Sequence, residues 1–141
     1  MTVFFVHGVP APQGSKKYVG GGRMVESSAK VGPWREAVKA AAQGLFTDTI
    51  TGPVRVTVDF YMPRPKSHYR TGRNAHLLRD NAPLYVAVKP DIDKCVRATL
   101  DALGDMGAFG DDAQVARVSA AMFYADAATR VGAVIGVEAL T

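Results

Sequence analysis

The chain has 141 residues, nearly half of them apolar, enough to bury a core as one domain (1–141) without disulfide staples or wholesale disorder. Lys and Arg number 17 against 13 Asp and Glu, a net charge of +4, which is compatible with a polyanionic partner. The lone Cys95 excludes an internal disulfide and an all-cysteine zinc site. No apolar stretch reaches the ~20 residues of a membrane span, and the start of the chain lacks the pattern of a signal peptide, so a cytoplasmic location is expected.

In chain order, Val3 to Val6 reads as a strand ended by Pro10, Pro12 and Gly14. Lys16 to Val19 and Arg23 to Val25 flank three glycines and read as a hairpin. Ser27-Ser28 offers a cap for a helix beginning at Ala29 or Pro33 and running to Phe46, with Trp34, Val38, Ala41, Ala42 and Leu45 on its apolar stripe. Val54 to Met62 reads as a strand in which Val54, Val56 and Val58 share one face and Arg55, Thr57 and Asp59 the other.

The segment from about 63 to 88 has no clear period and is rich in cations, among them Arg70 and Arg73, with Tyr69 and Tyr85 between them. It reads either as a solvated connection or as a basic loop against phosphates. It is expected to be poorly ordered without a partner, because nothing apolar in it suggests an anchor. Pro90 suits the first turn of a helix whose stripe is Ile92, Val96, Thr99, Leu100 and Leu103, ended by Gly104 and Gly107. Val115 to Tyr124 and Val131 to Leu140 read as the last two strands. This order predicts an α+β fold: a mixed or antiparallel sheet with two main helices, in a single domain.

Chemistry concentrates between Lys89 and Val115. Asp91 and Asp93 open the helix, Asp101 lies on it, and Asp111-Asp112 follow one short turn later, with Lys89, Lys94 and Arg97 set among them. Clustered carboxylates suit hard cations such as Mg²⁺ or Mn²⁺. Each acid also has an ordinary use. Asp91 can cap the helix, Asp93, Arg97 and Asp101 can form a solvated ion-paired stripe, and Asp111-Asp112 can be turn residues. An EF-hand is excluded because Cys95 and Val96 stand where a ligand and a glycine are needed. Cys95 reads as a core or boundary residue, not a nucleophile.

Lys89-Pro-Asp-Ile-Asp-Lys94, followed by Leu100-Asp-Ala-Leu103 and Asp111-Asp-Ala-Gln-Val115, resembles the RusA family of Holliday junction resolvases. Pro10-Ala-Pro-Gln-Gly-Ser-Lys-Lys17 and Trp34-Arg35 resemble that family's N-terminal segment. The resemblance implies a homodimeric, Mg²⁺-dependent endonuclease that nicks four-way DNA junctions symmetrically, as found in phages and prophages and used in DNA recombination and repair. It places the catalytic, metal-holding acids on Asp91, Asp93 and Asp112, with Asp111 as an accessory. The sequence departs from the family where an Asn often follows the second acid, here Lys94, and where a functional Lys falls on Arg97. Lys16, Lys17, Arg70, Arg73, Lys89 and Lys94 are the candidate DNA contacts. Mn²⁺ is the expected substitute for Mg²⁺. Competing readings are a nuclease for flaps or forks, a non-catalytic DNA-binding module of the same fold, and an Asp-x-Asp nucleotide-sugar transferase, for whose substrate domain the chain has little room.

Overall fold

A computed structural model of the chain describes residues 1–14, 16–21, 23–26, 29–126 and 129–141, with 16–19 and 23–26 in backbone alone. Six strands and two helices follow in the expected order: β1 (Thr2–His7), β2 (Lys16–Gly20), β3 (Arg23–Glu26), α1 (Val31–Ala42), β4 (Val54–Met62), α2 (Ile92–Asp105), β5 (Val115–Tyr124) and β6 (Gly132–Ala139). The main sheet runs β1-β6-β4-β5, and β2-β3 form a separate hairpin. β1 and β4 pair with β6 antiparallel, while β4 and β5 are parallel. A parallel pair needs a long crossover. Here residues 63–114 supply it, with α2 inside. The sheet is therefore mixed and the class α+β.

The period-2 pattern of β4 explains its place at the centre. Val54, Val56, Val58 and Phe60 are at most 1 % exposed, while Asp59 faces solvent. They join Trp34 and Val38 of α1, Cys95, Ala98, Ala102 and Leu103 of α2, and Ile135 of β6 in one core. Burying a large apolar side chain contributes about 1.5–3 kcal/mol, so this layer of sheet against two helices holds the site's scaffold. Gly132 opens β6 with φ +153°, and a Cβ there would run into the Val6 carbonyl and the Phe5 ring, which explains a glycine where β1 and β6 meet.

Several boundaries differ from expectation. α1 ends at Ala42, and Gly44 (φ +77°) turns the chain away, so Leu45 is 43 % exposed and leaves the apolar stripe. The proposed cap Ser27-Ser28 lies outside the described residues. Pro90 precedes α2 behind a cis Lys89–Pro90 bond instead of sitting in its first turn, and Gly104 falls within the helix. The 63–88 segment is folded. It forms short 3₁₀ turns at Lys66–His68 and Gly72–Asn74 and a bridge between Tyr69 and Leu78. Its anchors are mainly polar and aromatic, with Val86 packed against the core, and apolar periodicity does not report them. Arg64 donates to the carbonyls of Pro83 (2.8 Å) and Ala125 (3.3 Å) and lies over the Tyr124 ring. Val86 N–H donates to Met122 O and Tyr124 N–H to Leu84 O, so the segment's end pairs with β5.

Candidate functional site

α2 carries acids at both ends. At its head, Asp91 is the residue before the first turn, yet its side chain caps no backbone N–H. One carboxylate oxygen faces Lys89 Nζ at 3.6 Å and the other Lys94 Nζ at 3.7 Å. These are solvent-exposed ion pairs of about 0–1 kcal/mol each, readily exchanged for another cation or for a phosphate on the lysines. Asp93 is exposed in the first turn, where the helix dipole favours an anion. Gln13 N–H donates to Lys94 O at 3.0 Å, fastening the Pro10–Gln13 segment to this turn. Lys16 and Lys17 follow shortly after in β2, but their side chains lie outside the described structure. Beneath the acids Cys95 is fully buried. Burial first, then the charges of Asp91 and Asp93, pushes its thiol from 9.0 up to about 12, so it is inert as a nucleophile.

At the tail, Asp101, Asp105, Asp111 and Asp112 line a pocket of about 350 Å³ together with Arg35 of α1. The turn that brings Asp111-Asp112 back to the helix is built by Gln114. Its Oε1 accepts from the N–H groups of Gly110 (2.8 Å) and Asp111 (3.0 Å), while its Nε2 donates to the carbonyls of Ile50 (2.8 Å) and Gly52 (2.9 Å). Asp111 completes a capping box by accepting from Ala113 N–H at 2.8 Å. Its turn-forming use is therefore realised, and it has one oxygen engaged there.

Asp112 behaves differently. Partial burial of its carboxyl, a hydrogen bond with the Asp101 carboxyl, and the charges of Asp101, Asp111 and Asp105 all raise its pKa. Two neighbouring carboxylates are a pair between which a hard divalent cation can sit. Mg²⁺ keeps several waters and binds through one or two carboxylates. The all-oxygen donor set of Asp101 and Asp112 fits it by that chemistry.

The three acids singled out by the family resemblance are not drawn into one cluster. Asp93 and Asp101 are eight residues apart on α2, roughly 12 Å along its axis. Among the described residues no three His, Cys, Asp or Glu side chains converge closely enough to hold a metal. The ion-paired stripe expected of Asp93, Arg97 and Asp101 does not form. Among the described residues Arg97 is exposed without an ion pair, and Asp101 lines the tail pocket with Asp112 instead. On the basic segment, Arg70 is tied to Leu78 O (3.2 Å) and Asp80 (2.9 Å), whereas Arg73 stands exposed in a 3₁₀ turn. Sequence reading gave no role to Arg35 or Asp105. The i, i+4 spacing of Arg35 with Lys39 and of Asp101 with Asp105 was visible, but which helix faces which was not.

No helix among the described residues is long and apolar enough to cross a membrane. The family described as endodeoxyribonuclease RusA matches residues 7–135. A protein of Bacillus subtilis (strain 168), called uncharacterized protein YqaN, is 30% identical over 126 residues, covering 87% of this chain and 87% of its own.

Proposed function

Because this chain belongs to the RusA family of endodeoxyribonucleases, we propose that it resolves four-way DNA junctions by paired, metal-dependent hydrolysis of phosphodiester bonds, in recombination and repair. The observation that carries this reading is the pocket that gathers Asp112 with Asp101 beside the cation Arg35. Such a pair fits Mg²⁺, or Mn²⁺ in its place. When bound, the ion would polarise the phosphate and lower the pKa of a water. The chain's own groups do the rest. Lys89 and Lys94, held loosely by Asp91, would take phosphate oxygens. Exposed Arg73 and the lysines of β2 would position the duplex arms, Arg70 would keep its loop in shape, and Arg97 would hold charge on the open face of α2.

A four-way junction has two equivalent cleavage points, so a two-fold homodimer is the expected form. Pairing would also bring together acids that do not converge among the described residues of one chain. With the acids of α2 about 12 Å apart, two chains related by an axis across that helix would set the head of one beside the tail of the other. Asp91, Asp93 and Asp112 would then act together.

The test is incubation of the purified chain with a synthetic four-way junction and a panel of flaps and forks, with and without Mg²⁺. Paired nicks in opposed strands of the junction, only with the metal, are expected. Preference for flaps or forks would reassign the substrate, and binding without any nick would leave a DNA-binding module.

A further inference from the structure

On α1, Arg35 and Lys39 are four residues apart. On α2, Asp101 and Asp105 are four apart, so each pair shares a helix face. These faces meet. One rung of the ladder is closed, with Lys39 Nζ 3.3 Å from Asp105 and 3.6 Å from Glu36. The other rung is open. Arg35 and Asp101 line the same pocket, but no ion pair joins them. Arg35 Nε is buried with no hydrogen-bond partner. Buried donors are nearly always satisfied, so this absence leaves the guanidinium uncommitted among the described residues. Among the described residues lining this pocket Arg35 is the sole cation, and a guanidinium presents a rigid fork of donors matched to phosphate oxygens.

Resting on the nuclease reading above, we propose that Arg35 is a catalytic residue that holds the non-bridging oxygens of the scissile phosphate in the Asp101–Asp112 pocket. As a water oxygen bonds to phosphorus and the P–O3′ bond breaks, negative charge grows on those oxygens. The water's proton leaves to solvent and the 3′ oxygen gains one from it. A fixed guanidinium stabilises that charge without reorganising. Lys39, held between two carboxylates, does not serve this purpose. The rival role for Arg35, mere neutralisation of the acids, predicts an unchanged salt slope, because no phosphate contact is lost.

The test compares Arg35→Ala, Arg35→Lys and Lys39→Ala in the full chain. The readouts are single-turnover nicking of a four-way junction at saturating Mg²⁺, junction affinity against salt in Ca²⁺, and Mn²⁺ binding by calorimetry. Arg35→Ala should lower the nicking rate on the order of 100-fold. It should reduce the log–log salt slope by about 0.9, one phosphate contact, and leave Mn²⁺ binding no weaker. Arg35→Lys should recover part of the rate, and Lys39→Ala should stay within about threefold of wild type. An unchanged salt slope, or an Arg35→Ala rate within about threefold of wild type, overturns the proposal. Should Arg35→Ala fail to fold, Arg35→Gln carries the same readouts. A wild-type chain that nicks no branched DNA refutes the nuclease reading instead, and the salt slope still judges the phosphate contact.

Discussion

Trp34 Nε1 donates to Thr99 Oγ1 at 3.1 Å, and Thr99 Oγ1 donates in turn to the Cys95 carbonyl at 2.9 Å. Trp34 and Thr99 are at most 1 % exposed. This buried polar chain clamps α1 to α2 one residue before Arg35, so the pocket's geometry depends on it. Thr99→Val keeps the shape but removes the acceptor, leaving the indole N–H unsatisfied. A loss of about 1–3 kcal/mol is expected in denaturant unfolding. Thr99→Ser should lose much less. Equal losses in the two variants would show that packing, not the hydrogen bond, holds the helices.

Asp91→Asn, Asp93→Asn and Asp112→Asn should each reduce nicking by more than about 100-fold while junction binding persists, because binding rests on phosphate contacts elsewhere. Near-normal activity in one variant would remove that residue from the site. Mixing separates two arrangements. If chains share sites, Asp93→Asn mixed with Asp112→Asn restores single nicks, since one hybrid site keeps every acid. If each site lies within one chain, the mixture stays dead. Native gels of the same samples report whether mixed dimers formed.

The two loop arginines should part company. Arg73→Ala should lower the salt slope of DNA binding by roughly 0.9 if it meets one phosphate. Arg70→Ala should first loosen the segment, since Arg70 bonds Leu78 O and Asp80. Limited proteolysis between residues 63 and 88 checks this, with faster cleavage expected for Arg70→Ala alone.

Cys95 should resist alkylation at pH 8 in the folded protein and react promptly in denaturant, because its thiol is buried with a pKa of about 12. Its linkage has a definite sign. The folded state holds the thiol proton more tightly than the unfolded chain does, so this contribution is complete below pH 9 and is lost as pH rises toward 12. The slope is at most about 1.4 kcal/mol per pH unit. Cys95→Ala should flatten that part of the stability curve relative to wild type. A parallel curve would mean that the thiol does not titrate with unfolding.

What could be read in advance followed from local physics. The alternation of Val54, Val56 and Val58 reports burial two residues at a time, and the strand was found where that pattern ran. Asp91 and Asp93 were visible as acids among lysines. The tail pocket was not. The partnership of Asp112 with Asp101 depends on Gln114 reaching Ile50 and Gly52, some 60 residues earlier in the chain, and no short-range signal carries that. The 63–88 segment was misjudged for the same reason, since its anchors are an arginine on distant carbonyls and a bridge to β5. The turn use of Asp111 was one of the readings open from sequence, and its capping box bears it out.

The pairing of Thr2 with Val137, and of β6 with β4 on its other side, has a consequence during synthesis. The strand made last is an interior strand, so β1 and β4 emerge from the ribosome with their adjoining edges bare. Such edges invite pairing with neighbouring nascent chains. Between translation of β1 and arrival of β6 the sheet is two fragments, and no partial product can close it. Crowded polysomes are therefore the setting in which this fold is most exposed to aggregation, and any lesion that stalls translation before Gly132 leaves a split sheet for proteases instead of a shortened enzyme.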